Sequence, residues 1–484
     1  MSSQAVGNGP ASIRSPLSRR WLVFAVSAGG AALAFLDVTI VSVAFPAIEA
    51  GFPGTPRSSL SWVLSGYNIL FAALLVPAGR LADAVGRRRL FLVGVLGFTL
   101  ASLACAAAPS AAALIAARLL QAAAAAAIIP SSLAMVLEEF PAAERARGAG
   151  LWAAVAGVSA GVGPMLGGLL TEAGTWQPVF LVNLPIGLAC WLGGRRLPRD
   201  VEPSRRALPD LAGSGLIAAA VGFLVLAVVE GNRWGWSSVA IVGSLALAAL
   251  LAAAFLRLCR RRPAPVVDLE LFEDRAVAVG NLGTLVFSAA GYGIILVNVF
   301  FLSGAWGYAP TSVGLALTPA PVAMAVAAVI GGRLAERWGR RPVAVAGAVL
   351  FAAGAIWFAA AIAPEADLLG HWLPGALATG SGAGFAYPAL GAAAVMTLAP
   401  DRFGVGSAMN AMFRQIGAAI GVAAVVAVLG SDSAPTLADY RRGWALLAAI
   451  ALAAAVVGLG LGRLRSAEIR PGLLDPGEGA KALS

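Results

Sequence analysis

Apolar residues dominate this chain in runs of about 20, each broken by a short polar turn before the next begins. A helix crossing the hydrocarbon of a bilayer needs a run of about that length, and Gly or Pro inside it is tolerated. Fourteen such runs are predicted, at 21–45, 60–81, 89–108, 111–137, 147–171, 178–195, 211–229, 237–257, 276–302, 311–335, 342–363, 369–398, 403–430 and 443–463. The fourth, twelfth and thirteenth are rich in Ala and Gly, which softens their boundaries by several residues.

One turn occurs twice. Gly79-Arg-Leu-Ala-Asp83-Ala-Val-Gly86-Arg87-Arg88 returns 253 residues later as Gly332-Arg-Leu-Ala-Glu336-Arg-Trp-Gly339-Arg340-Arg341, each time between the second and third spans of a set of six. A membrane chain built twice over is the construction of transporters whose halves move against each other. The expected architecture is all-α and integral to the membrane, with two six-helix bundles of pseudo-two-fold symmetry and two inserted central helices. Its parts are a tail at 1–20, a first bundle at 21–197, a linker with the two extra spans at 198–274, a second bundle at 275–465 and a tail at 466–484.

Composition agrees with a membrane chain. Of 484 residues 59% are hydrophobic and 12% charged, and the mean hydropathy is +0.85, which leaves a water-soluble globule too little polar surface. The net charge of +10 suggests no nucleic-acid partner, because the arginines sit in short turns with no aromatic stacking platform. With the first run starting inside, 28 Arg and Lys residues fall on the inner side and 4 on the outer: Arg57, Arg233, Arg441 and Arg442. That asymmetry predicts a cell-membrane protein with both termini cytoplasmic. The first run exceeds signal-peptide length, carries Asp37 and lacks a clear cleavage site, so it is expected to stay.

Several chemistries lose support. Lys481 is the sole lysine and Ala482 follows it, which excludes a phosphate loop ending in Lys-Ser or Lys-Thr. The three cysteines lack metal-ligand spacing and His371 is the single histidine, so no enzyme, cofactor or metal site is expected. What stands out instead is charge deep inside spans: Asp37 in the first, Arg118 in the fourth and Arg414 in the thirteenth. An intramembrane charge costs about 2.5–3.5 kcal/mol even on mild scales and marks a functional site by default. At 1.5 Å per residue, Asp37 and Arg118 both lie roughly 10 to 14 Å below the outer surface, a depth at which they can pair. Arg414 either lines a cavity or satisfies backbone carbonyls. In the fifth span, Gly163-Pro164-x-x-Gly167-Gly168 follows Gly157-x-x-x-Gly161, a face of small residues for close helix packing.

Together these residues resemble the major facilitator superfamily, and within it the drug:proton antiporters of fourteen spans. The resemblance runs from about Trp21 to Arg465. It rests on Leu36-Asp37-Val38-Thr39 through Phe45-Pro46, the Gly79–Arg88 turn, Arg118 to Gln121, Gly163 to Gly168, Trp176 to Gly187, Gly307 to Pro310 and Arg414 to Gly417. Ser42 stands where the family usually has Asn, and Ala122 where it has Gly.

The resemblance implies proton coupling through Asp37 and Arg118, docking of Asp83 on the inner end of the thirteenth span, and an interface between halves shaped by the fifth. The turns are expected to form a conformational latch at Gly79, Asp83, Gly86, Arg87, Glu336, Gly339 and Arg340. From polarity alone, the substrate cavity is expected to draw on Asn68, Gln121, Asn183, Tyr292, Asn298, Tyr387, Asn410, Arg414 and Gln415. The expected activity is proton-coupled efflux of apolar or amphipathic small molecules such as drugs and antibiotics, by a monomer. Because the tenth span has no acidic residue before Glu336, the reading leans to neutral, monocationic or anionic cargo. Alternatives are an exporter dedicated to one natural product or metabolite, and a non-transporting membrane sensor.

Overall fold

A bilayer offers backbone N–H and C=O groups no water, so each apolar run must close its hydrogen bonds within itself, and helices result. The structure is a computed structural model describing residues 16–141, 144–172, 174–197, 210–263, 265–398, 402–430 and 435–462. The extreme N-terminal tail, most of the 197–210 connection and the tail beyond 462 lie outside the described residues.

Among the described residues fourteen long helices follow one another: α1 (Pro16–Gly51), α2 (Arg57–Val85), α3 (Arg87–Ala106), α4 (Ala111–Glu139), α5 (Arg145–Thr171), α6 (Pro178–Arg195), α7 (Leu211–Trp234), α8 (Val239–Cys259), α9 (Arg275–Ala305), α10 (Pro310–Trp338), α11 (Arg340–Ala361), α12 (Leu373–Ala393), α13 (Phe403–Leu429) and α14 (Leu437–Leu459). All but α12 are long and apolar enough to cross a membrane on length and composition. Glycines make α12 less apolar, and they serve its packing: a Cβ at Gly380 would meet Ala320 O of α10 at 2.2 Å, and one at Gly382 would meet Phe351 N of α11 at 2.4 Å.

Several boundaries differ from expectation: α12 is shorter at both ends (Leu373–Ala393 against 369–398), and α14 starts six residues earlier, at Leu437. α1 runs through Pro46 to Gly51, since a proline inside a membrane helix need not end it. α7 runs on to Trp234, which brings Glu230 inside the helix, where it is buried.

The duplication is visible in the packing. In the first half α1 pairs with α5, α2 with α4, and α3 with α4 and α6; in the second, α9 pairs with α13, α10 with α12, and α11 with α12 and α14. Each half carries its turn at matching glycines, Gly86 (φ 102°) and Gly339 (φ 87°). Only glycine enters that region without strain, and among the described residues no other residue type has positive φ. The halves meet where α2 lies on α13 and α5 on α10. The inserted α7 packs against both α2 and α13, so it straddles the seam between the halves.

Candidate functional site

Asp37 sits on α1 and Arg118 on α4, 0% and 1% exposed, and they form an ion pair from Arg118 Nη1 to Asp37 Oδ2. Neither charge is affordable alone at that depth, and even a pair needs hydrogen bonds to its remaining polar atoms. They are supplied by three more helices. Asp37 Oδ1 accepts from Gln121 Nε2 of α4 at 2.9 Å and from Asn183 Nδ2 of α6 at 3.0 Å. Both amides also reach the Ser102 hydroxyl of α3, at 2.8 and 3.3 Å. Arg118 donates from Nη1 to Gln121 Oε1 at 2.6 Å and from Nε to the Val63 carbonyl of α2 at 3.1 Å. Its guanidinium lies 4.2 Å from the centre of the Tyr67 ring, a cation–π contact.

Arg118 therefore bridges α1 and α2. Protonation of Asp37 would remove the attraction to α1 and leave Arg118 still held by the Val63 carbonyl, Gln121 and the Tyr67 face.

From Asp37 the contacts lead to the seam. Two residues on, Thr39 faces Gly163 of α5 so closely that a Cβ there would sit 1.8 Å from its hydroxyl; one at Gly167 would lie 3.0 Å from Ile40 O. The next glycine turns outward to the other half: a Cβ on Gly168 would meet Pro310 O of α10 at 2.3 Å, and one on Gly314 would meet Pro164 O of α5 at 2.5 Å. Gly163 and Gly167 thus seat α5 on α1, while Gly168 and Gly314 make the crossing between halves.

Away from the terminal face, where α1 begins and α14 ends, further contacts close the seam. Arg57 at the start of α2 binds Glu49 of α1 (Nε to Oε1 3.0 Å), donates to Gly430 O after α13 at 3.1 Å and lies 4.7 Å from the centre of the Phe300 ring of α9. Phe45 meets Phe300 edge to face at 5.6 Å. Glu172, just beyond α5, accepts from the Thr311 amide at 3.0 Å and from its hydroxyl. These two bonds hold its carboxyl below the usual carboxylate range. At the terminal face, Arg19–Glu139, Arg20–Glu144 and Arg87–Glu138 join helices within the first half. The helices are thus drawn together across the seam at the far face.

The polar residues expected in a cavity divide among several places. Gln121 and Asn183 belong to the Asp37 network. Tyr292 of α9 and Gln415 of α13 line a cleft with Ala34, Phe35, Val38, Phe71 and Ile129 of the first half. Asn68 joins them, accepting from Gln415 Nε2 at 3.3 Å. Asn410 bonds to Asn281 and Thr284, and Asn298 accepts from Trp444 Nε1 near the far end of α9. Tyr387 packs edge to face on Phe287. Asp83 accepts from Arg87 in its own turn, and Arg87 continues to Glu138 at 2.6 Å, while Glu336 in the second turn is exposed. Ser102, Tyr67, Arg57 and Glu172 were not expected in any site. A serine or tyrosine in an apolar span carries no signal of its own, and their partners lie many residues away.

Comparison with known proteins places the chain. The model of the Major Facilitator Superfamily matches residues 27–256 and 282–480. The multidrug resistance protein Stp of Mycobacterium tuberculosis strain H37Rv is 36% identical over 429 residues, covering 88% of this chain and 79% of that protein. The puromycin resistance protein pur8 of Streptomyces alboniger is 35% identical (89% and 86%), as is the methylenomycin A resistance protein of Streptomyces coelicolor (90% and 90%). Among solved structures, a bacterial homolog of the human lysosomal transporter Spinster in an inward-facing, unoccupied conformation aligns with TM-score 0.64 at 17% identity, over 91% of this chain and 96% of that one. The nucleoside transporter NupG aligns with TM-score 0.59 at 13% identity, over 90% and 99%; at such identities both likenesses speak for the fold alone. The chain belongs to the Major Facilitator Superfamily, as a multi-pass membrane transporter related to drug-resistance and antibiotic-export proteins.

Proposed function

We propose that this protein expels apolar or amphipathic small molecules in exchange for protons, by alternating access between the halves 21–197 and 275–465, which the segment 198–274 joins. The observation that carries the reading is the buried Asp37–Arg118 pair, coupled through Thr39 and Gly163 to the helix that crosses to the other half. When Asp37 takes a proton, α1 loses its hold on α4, and α5, seated on α1, shifts against α10. The 28-to-4 arginine and lysine asymmetry supports a cytoplasmic terminal face, which makes the far face, with its contacts across the seam, the outer one. A proton entering through this cycle releases about 2.3 kcal/mol per 100 mV, enough for roughly a fiftyfold gradient when one net charge moves.

The paired turns serve as the latch at the cytoplasmic face, Gly86 and Gly339 making the bends and Asp83 and Glu336 supplying the acidic partners. The cargo site is placed at the narrow cleft of Tyr292 and Gln415, with Asn68 bonded to Gln415, which must widen to take a drug-sized molecule. Relatives named for resistance to a single antibiotic, puromycin or methylenomycin A, support a second reading in which one natural product is the cargo. Competition by chemically unrelated compounds separates the two.

The central test is Asp37→Asn in proteoliposomes. Substrate-driven proton movement is expected to vanish while substrate binding persists, and unaltered coupling would remove Asp37 from the mechanism.

A further inference from the structure

Arg118 and Arg414 are the two arginines set deep within spans, and their surroundings are opposite. Arg118 is fully supplied with a carboxylate, two oxygen acceptors and an aromatic face. Arg414 lies on α13, eleven residues from Phe403 and fifteen from Leu429, so about 16 and 22 Å of helix separate it from the two ends. No described carboxylate comes within ion-pair distance of it, and its Nε is buried without a hydrogen-bond partner. Asp37 is already committed to Arg118, while Glu230 and Asp439 lie near the far ends of α7 and α14. The described interior therefore keeps one unbalanced positive charge.

That charge lies one residue from the cleft lining without being part of it. Its neighbour in the chain, Gln415, lines the cleft together with Tyr292, and Arg414 is within electrostatic reach of the phenols of Tyr292 and Tyr387. Phe35, Val38 and Phe71 supply an apolar wall on the opposite half. A guanidinium with an unpartnered donor near phenol hydroxyls, beside a cleft whose opposite wall is apolar and aromatic, suits one kind of guest: an organic acid, ionised at one edge and flat and apolar elsewhere.

We propose that Arg414 is the anion-binding group of the cargo site, and that the preferred cargo is an amphipathic organic anion bearing a carboxylate or acidic phenolate. This rests on the export reading above and narrows its substrate class. It adds a consequence for energetics. An anion leaving as a proton enters moves two elementary charges per cycle, where neutral cargo moves one, so voltage contributes twice as much to the gradient.

The test uses the full-length protein and three probes on one ring system: 2-naphthoate, 2-naphthamide and 2-naphthylmethylammonium. Binding is measured at equilibrium, with no pH or voltage gradient. The wild type is expected to hold naphthoate about tenfold to a hundredfold more tightly than naphthamide, with the ammonium weakest. Arg414→Gln is expected to bring naphthoate and naphthamide level, and Arg414→Lys to keep naphthoate first. Equal binding of naphthoate and naphthamide by the wild type, preference for the ammonium, binding of none of the three, or a naphthoate preference that survives Arg414→Gln would each overturn the proposal. Proton flux on addition of naphthoate is read separately, in proteoliposomes. Its absence would defeat proton-coupled export while leaving the anion preference standing, so the two failures are distinguishable.

Discussion

Asp37 Oδ1 has two donors, and both are amides whose other contact is Ser102. Gln121 is the busier of them, since it also accepts from Arg118 and is the acceptor for the Cys105 thiol at 3.8 Å. Gln121→Leu would leave Ser102 and Arg118 each short of a partner in a dry interior, at about 1–3 kcal/mol per orphaned group. The expected outcome is a lowered thermal midpoint in detergent. Ser102→Ala added to it should cost less than the two single losses combined, because the hydroxyl stranded by the first change is gone. Strict additivity in this cycle would mean that the contacts do not act as one network.

At the scale of elements, the small residues of α5 divide into two faces with different duties. Gly163 and Gly167 press on α1, whereas Gly168 meets α10 across the seam, where Gly314 returns the contact. Gly168→Ala or Gly314→Ala adds a methyl against a backbone carbonyl, an overpacking cost of about 1–3 kcal/mol charged only to the state in which the helices touch. Both variants should shift the protein toward opening at the far face, seen as faster labelling of far-face cysteines. Gly157→Ala is the control, because nothing lies within 4 Å of a Cβ at that position, and it should label like the wild type. Faster labelling in the control, or none in Gly168→Ala, would separate the seam from the glycine pattern.

For the whole molecule, the balance between open and closed far faces rests on few contacts. Arg57 alone touches Glu49, Gly430 and Phe300, binding α1 and α2 to α9 and α13. Arg57→Ala is expected to raise far-face accessibility and lower affinity for cargo offered from the terminal face. Unaltered accessibility would assign closure to the α5–α10 crossing alone. Glu172 makes a pH-dependent contribution. Its carboxyl is held below its ordinary value by Thr311, so the tie is complete above the unfolded-state value of about 4.3 and is lost as pH falls through the lower folded-state value. Spin labels at the exposed Leu169 and Leu315 should therefore keep their separation from pH 7 down to about 4.5 and drift apart only in stronger acid. A change already near pH 6 would count against the Glu172 tie, and Glu172→Gln should abolish the acid response.

Hydrophobic runs and positive turns by themselves determined the membrane helices, their duplication and the family resemblance. Water cannot enter a bilayer, so length and charge along the chain leave few alternatives. Asp37 and Arg118 were legible for the same reason: an isolated charge in an apolar run is costly enough to demand a partner, and the helical rise puts these two at one depth. Their supporting residues were legible only in part: Asn183, whose partner lies 146 residues away, was expected in a cavity and not beside Asp37, while Ser102 and Tyr67 are ordinary in membrane helices. Arg57 reaches a carbonyl 373 residues on, and Glu230 entered a helix only because α7 continued one turn past its most apolar stretch. Which face is shut, which glycine crosses to the other half and which arginine lacks a carboxylate were decided by tertiary structure alone, because each depends on distances between helices that no local pattern encodes.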